Sequence, residues 1–339
     1  NGEALMVLNL ITEEAPRAFR RQSQSIYVAS IIVARQPPES HVLKAAYPLL
    51  VKSLSNLVLY VVPLKEGVEV YFITLEQGHE KVVSTGLADE VFFQRVYARL
   101  QPRATSTLVI DNLFLPDLPE ALWHGTPVTE QMYQAGKTLD RLNLLPSVVP
   151  LEDILTAREL KHVWRLFRIG GLSYGNVSAR HDATRFWMSA SGVDKSNLRL
   201  VGEHIHLVKG YDVERNAIVV STPPHIKRPN RVSVDAIEHF MIYSENPKVG
   251  AVVHAHCWLE PGAPLSSDYT FRVTDEAYPC GTRQLAQATA TFIRQAPDPT
   301  RTIVGQKNHG LVITGRNLPD IFDRIESGDI PITVRIPMM

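Results

Sequence analysis

The period of the apolar positions changes along the chain, and the changes mark its elements. Residues 24–34, from Gln24 to Ala34, are rich in β-branched side chains and carry no charge, the pattern of a buried strand. Pro37-Pro38-Glu39-Ser40 then opens a helix expected to reach about Leu54. Leu57–Val62 reads as another apolar strand, and Val68–Leu75 alternates like a half-buried one. Asp89–Leu100 fits an amphipathic helix and Thr107–Leu113 a further strand. The order β-α-β-β-α-β implies one compact α/β domain over residues 1–118. Pro116, Pro119, Pro127, Pro146 and Pro150 follow, a density that interrupts regular structure. Residues 119–150 are therefore expected to be a Pro-rich linker with one short helix around Glu130–Leu142.

Residues 151–339 read as a second domain. It is expected to open with a helix carrying Glu152 and Asp153 in its first turn, where acids suit the helix dipole. Leu155, Leu160, Val163, Leu166 and Phe167 give that helix one apolar face, and Gly170-Gly171 ends it. Short strands are expected around Asn176–Ala179, Arg185–Met188, His204–Val208 and Ala217–Val220. A helix over Val234–Tyr243 leads into the strand Val249–Ala255. Then come a helix at Thr282–Arg294, strands at Thr302–Gln306 and Leu311–Thr314, a helix at Leu318–Ile325 and a strand at Ile332–Ile336.

Composition narrows the function. At 339 residues the chain is longer than one core usually covers, which agrees with two domains. Lys plus Arg equals Asp plus Glu, 35 against 35, so neither a nucleic-acid nor an anionic-membrane partner is expected. The most apolar stretch, Ala45–Leu64, is interrupted by Lys52, Asn56 and Pro63 and is not a membrane span. The short apolar run after Glu3 lacks the basic flank of a signal peptide. Only two cysteines, Cys257 and Cys280, are present. That excludes a disulfide scaffold and makes a reducing, cytoplasmic setting the expectation. Gly67, Gly78 and Gly86 stand alone and form no phosphate loop, so the first domain's role is not legible.

The chemistry lies in the second domain. His254-Ala255-His256 ends an apolar strand, where residues i and i+2 point the same way, so two imidazoles share one face. Imidazole suits zinc and other late divalent ions. A short pattern of this kind also arises as two unrelated polar residues at a strand end. Asn308-His309-Gly310, between two short strands, supplies a third nitrogen, although alone it reads more often as a turn or core histidine. Three protein ligands with an open fourth position is the arrangement of a catalytic zinc, whereas a structural site is closed by four.

Four segments in order and spacing resemble the class II aldolase/adducin family. They are Gly175-Asn176-Val177-Ser178-Ala179-Arg180, Ser189-Ala190-Ser191-Gly192-Val193, Arg231-Val232-Ser233-Val234-Asp235 before the helix leading to His254-Ala255-His256, and Asn308-His309-Gly310 with Gly315 beyond. Tyr278-Pro279-Cys280-Gly281-Thr282 is also similar to a family segment. The match covers roughly residues 151–326 and leaves the N-terminal domain unrecognised.

The resemblance implies a C-terminal α/β/α domain with a mostly antiparallel sheet; with the separate N-terminal α/β domain read from the apolar pattern, the fold class is α/β. It implies a divalent ion, Zn2+ first, on His254, His256 and His309. It makes Asp235 the acid–base group, since the family places a carboxylate nineteen residues before the first histidine of the pair. Asn176, Ser178, Ser191, Gly192 and Ser233 fall where the family holds a substrate anion, and also suit ordinary turn chemistry. The implied function is a zinc-dependent lyase or isomerase acting on a small polyhydroxy carbonyl compound, sugar phosphates included, through a metal-stabilised enediolate. The implied assembly is a homo-oligomer, a tetramer before others. The alternative is a non-catalytic binding module like adducin with a relic metal site. A third possibility places the activity in the first domain.

Two departures from the family pattern stand out. Ser233-Val234 replaces a paired serine, which removes one hydroxyl from the anion pocket. No tyrosine follows Tyr278, so the C-terminal tyrosine acid of the aldolases has no counterpart. His239 reads as structural more than catalytic, Cys257 as packing turned away from the metal face, and Lys195 as a solvated lysine, with the pocket mouth as its alternative.

Overall fold

The computed structural model describes residues 6–19, 26–38, 41–75, 78–84, 90–145, 151–167 and 174–334. In chain order its elements are β1 (Met6–Ile11), β2 (Tyr27–Val33), α1 (Val42–Ser53), β3 (Leu57–Pro63), β4 (Val68–Thr74), β5 (Gly78–Ser84) and α2 (Glu90–Ala104). β6 (Asp111–Leu115), α3 (Pro127–Arg141) and α4 (Ala157–Phe167) follow. Then come β7 (Asn176–Arg180), β8 (Phe186–Ser189), β9 (Ile205–Asp212), β10 (Ala217–Ser221), α5 (Ala236–Glu245), β11 (Ala251–Ala255), β12 (Trp258–Leu259) and β13 (Thr270–Val273). The chain ends with α6 (Arg283–Gln295), β14 (Thr302–Gln306), β15 (Gly310–Gly315), α7 (Leu318–Glu326) and β16 (Ile332–Thr333). Among the described residues no helix is long and apolar enough to cross a membrane.

Contacts divide the chain into two units, residues 1–108 with 147–171, and residues 109–146 with 172–339. The first unit holds a five-stranded sheet in the order β1-β2-β3-β4-β5, parallel from β1 to β3 and antiparallel from β3 to β5. Tyr27, Ala29, Leu57, Leu59, Val70, Phe72 and Val82 cluster on one face with Phe92 of α2. The observed order differs from β-α-β-β-α-β: β1 and β5 are additional strands. Both lie at the edges of the sheet, and β1 has Leu8 and Leu10 exposed, so its sequence lacks the burial signal of β2.

The expected boundaries also shift. The strand placed at Thr107–Leu113 is β6, which pairs in parallel with β10 at the edge of the second unit's sheet. The segment read as a linker contains the full helix α3. Pro127 stands at its first turn, where the missing N–H costs nothing, and Thr126 caps it by accepting from the Thr129 N–H. Met132, Ala135 and Leu139 then bury against the sheet. α4, expected to open the second domain, instead packs on α1 in the first unit, where Lys52 and Glu159 lie 3.3 Å apart. Val163 of the expected apolar face is fully buried, and the side chains of Leu166 and Phe167 lie outside those described; sequence alone does not say which sheet Val163 covers. The expected Gly170-Gly171 stop lies outside the described residues.

The second unit is a nine-stranded sheet in the order β13-β14-β15-β11-β7-β8-β9-β10-β6, antiparallel except for its two outer pairs. Helices cover both faces. α3 and α7 pack on one, with Val253, Ala255 and Cys257 beneath them. α5 and α6 pack on the other, over Val252, Val304 and Val312. β12 and β16 form a separate small pair; of the strand expected at Ile332–Ile336, residues 335–336 lie outside the described residues.

Candidate metal centre

The site forms where β11 leaves the sheet. His254 is on β11, opposite Val312 of β15 and Asn176 of β7. His256 lies two residues on, and alternation keeps it on the same side. His309 sits in the turn joining β14 to β15, which closes with the His309 N–H donating to the Gln306 carbonyl. Gly310 permits this approach, because a Cβ there would lie 2.4 Å from the Ala255 carbonyl oxygen. The ring centroids are 5.1 Å apart for His254 and His256, 4.7 Å for His254 and His309, and 4.8 Å for His256 and His309.

All three rings are buried, and each keeps a buried ring nitrogen without a hydrogen-bond partner: Nε2 of His254, Nδ1 of His256 and Nδ1 of His309. The His254 Nδ1–H donates to the Leu311 carbonyl at 3.1 Å, which fixes the tautomer that leaves Nε2 a lone pair. Candidate ligand atoms of the three residues all lie within 4.8 Å of one another. Burial and mutual repulsion hold His256 and His309 well below the ordinary imidazole range. His254 is lowered by burial too, against the opposing pull of the Asp235 carboxylate. Neutral imidazoles with convergent lone pairs and no protein donor to satisfy them fit a divalent cation.

Asp235 stands at the N-terminus of α5 but makes no side-chain cap bond. Its Oδ2 accepts from the Asn176 Nδ2 at 2.7 Å, while Oδ1 is buried without a partner. The carboxylate thus leans towards β7 and the histidines and leaves the helix end uncapped. Asn176 is in this way committed to orienting Asp235. Ser178, one residue pair further along β7, is equally engaged: its Oγ lies 2.6 Å from the His239 Nδ1 and 2.8 Å from the Tyr243 hydroxyl. Ser233 is buried just before α5, its N–H donating to the Ser189 carbonyl. The Ser191 N–H donates to the Arg231 carbonyl, and Gly192 follows with φ of 69°. Ser191 and Gly192 are partly exposed, unlike Asn176, Ser178 and Ser233.

Three side chains that sequence reasoning passed over are part of this region. Lys195, read as solvated, is buried, and its ammonium acts on both His254 and His256. Burial pushes it down to about 8, opposed by Asp235 and Asp194. Its backbone is packed so closely on α3 that a Cβ at Gly136 would lie 1.8 Å from the Lys195 carbonyl oxygen. Glu238 and Gln306 are buried beside Asp235 and joined by a hydrogen bond from the Gln306 Nε2 to the Glu238 Oε2. Glu238 had a faint signal, since i and i+3 share a helix face. Lys195 had none. His239 is fully buried, with burial and His254 pushing it down to about 3.

The family model described as Class II Aldolase and Adducin N-terminal domain matches residues 160–329, half of the chain. The chain belongs to this family. L-fuculose 1-phosphate aldolase is among the similar solved structures, at 19% identity, with 60% of this chain and 81% of that one covered and a TM-score of 0.39. The L-fuculose-1-phosphate aldolase of Thermus thermophilus is 16% identical, covering 60% of this chain and 90% of its own, with a TM-score of 0.36. The N-terminal class II aldolase domain of a conserved protein from Thermoplasma acidophilum is 11% identical, with coverages of 62% and 93% and a TM-score of 0.36. No curated protein matches the sequence. The class II aldolase match takes in β7 to β15 and all three histidines, and leaves out the five-stranded sheet of the first unit.

Proposed function

We propose that the protein is a metal-dependent lyase or isomerase, with one divalent ion, zinc first, held by His254, His256 and His309. The observation that carries this reading is the set of three buried imidazoles whose unpartnered nitrogens converge, with Asp235 beside them. Three protein donors leave room for a substrate atom at the ion. When bound, the ion supplies electrophilic stabilisation of negative charge developing on substrate oxygens. Asp235 is the proton-transfer group, oriented by the Asn176 amide. The substrate class is a small polyhydroxy carbonyl compound, sugar phosphates included. The assembly is a homo-oligomer, a tetramer before others, and light scattering that finds only monomer at micromolar concentration removes that part of the proposal.

The test joins metal analysis to turnover. The protein as purified is expected to carry one divalent ion per chain. It is expected to cleave, dehydrate or epimerise some member of a panel of phosphorylated and unphosphorylated hydroxy-carbonyl compounds. Chelation abolishes that turnover and zinc restores it. A chain that binds no ion, or binds it with four protein ligands and turns over nothing, is instead an adducin-like binding module.

A further inference from the structure

Glu238 is a buried carboxyl that the reading above does not use. It lies one turn into α5 from Asp235, on the same side of the helix, with 2% of its surface exposed. Its neighbours offer little to a negative charge. The Gln306 Nε2 on β14 donates to Oε2 and also reaches the Thr289 Oγ1 on α6 at 3.4 Å. Oε1 is buried without a hydrogen-bond partner, and so is the Gln306 Oε1. Among the described residues no lysine or arginine forms an ion pair with Glu238. Its charged neighbour is Asp235, which has the same sign. A buried carboxylate with one amide donor and a second carboxylate beside it takes up a proton in preference to remaining charged. Asp235 has an amide donor of its own, from Asn176, and differs in having the buried Lys195 ammonium near it.

We propose that Asp235 and Glu238 are a carboxyl pair that holds one proton, carried by Glu238. Two adjacent carboxyls in unlike surroundings divide into an acid and a base. Asp235 touches the reacting atoms on the reading above, and Glu238 is a positioning residue that acts through it. As a base, Asp235 takes a proton from the substrate, one bond to hydrogen breaking as its own O–H forms. For work as an acid, the Glu238 O–H breaks as an O–H forms on Asp235, and the charge passes to Glu238. The total of protons and charge is unchanged. The pair thereby gives the site a proton donor. Its catalytic use rests on the metal-enzyme reading, but the existence of the pair does not.

Infrared spectroscopy of the protein at neutral pH tests the pair without a substrate. The wild type is expected to show the C=O stretch of a protonated carboxylic acid, shifting in D2O. Glu238→Gln, close in size and shape, is expected to remove that band. Asp235→Asn, with Glu238 intact, is expected to keep the band but move it, because the field of a neighbouring carboxylate is gone. Absence of the band in the wild type, its survival in Glu238→Gln, or an unmoved band in Asp235→Asn overturns the proposal. If Glu238→Gln does not fold, Asp235→Asn still decides. Zinc content measured on the same samples separates the two readings. Zinc without the band defeats the pair alone, and the band without zinc defeats the metal enzyme alone.

Discussion

The two faces of β11 are built from one run of alternating residues and do opposite things. Val253, Ala255 and Cys257 point into an apolar cluster with α3 and α7. Val252 and His254 point towards α5, and at the strand's end that face turns from apolar to titratable. The first face has shape to satisfy and does so by packing. The second accumulates buried nitrogen and oxygen atoms that no protein group satisfies, on Asn176, Asp235, Glu238, His239, His254, His256, Gln306 and His309. Unsatisfied buried polar atoms are costly, and their concentration around the three histidines suits an ion or ligand there, while Trp258 and Tyr269 of the apolar cluster carry one each. On the proposed reading, the difference separates residues that hold the fold from residues that bind the ion and substrate.

Removing the titratable side of β11 gives the largest effect. His254→Ala with His256→Ala is expected to take metal content from one ion per chain to about none. The apolar face is untouched, so far-UV circular dichroism of the variant should match that of the metal-free wild type. Unchanged metal stoichiometry in the double variant would show that the ion sits elsewhere.

Next in size is Asp235→Asn, which retains the shape and the hydrogen bonding to Asn176 but removes the charge. Proton transfer by a positioned side chain typically contributes about 10²–10⁴-fold in rate. Turnover of whichever panel compound proves active is therefore expected to fall by two or more decades on that scale, with metal content kept. A parallel loss of metal would make Asp235 a ligand. A loss confined to KM would make it a substrate-binding group.

Much of this contrast is legible in the sequence, because a period of two shows directly. His254, His256 and Cys257 take their sides from alternation alone, and the strands from β7 to β11 fall close to their expected places. His309 is legible through its turn and the family pattern. Glu238 and Lys195 are not, because burial of a charged residue depends on what packs around it. Gly136, which lets α3 press on the Lys195 backbone, is 59 positions away in the sequence. The anion-pocket residues show the same limit. Ser178 carries a hydroxyl in the expected register, yet its hydrogen bonds go to His239 and Tyr243, side chains more than 60 positions on. The division into units departs from expectation for a related reason. Proline reads as a breaker at Pro127, where it starts a helix, and the apolar face of α4 does not name the sheet it covers.

The packed face has its own test, smaller in scale. Leu311 is fully buried in the cluster of α3 and α7, while its carbonyl accepts from His254 on the other side. Leu311→Ala removes side-chain packing and leaves that carbonyl in place. Large-to-small changes of this kind cost about 2–5 kcal/mol. Denaturant unfolding of the metal-free variant is expected to show a loss in that range, with metal stoichiometry unchanged when zinc is supplied. Lost metal binding with little loss of stability would mean that the two faces are not separable.

The smallest effect is chemical and leaves the sequence intact. Cys257 follows His256 immediately, yet alternation carries its thiol to the apolar face, where it is fully buried. Burial pushes that thiol up to about 12, since nothing in the cluster solvates a thiolate. Only the thiolate reacts, so at pH 8 the reactive fraction is on the order of one part in ten thousand, before access is considered. A thiol reagent at pH 8 is therefore expected to leave Cys257 unmodified in the folded protein and to label it after denaturation, as read by peptide mass spectrometry. Zinc should change neither result, because the sulfur is not on the histidine side. If zinc protected Cys257 in a protein that otherwise labelled readily, the thiol would lie on the metal face, and the division of β11 into a packed and a ligand-binding side would be wrong at the residue next to the site.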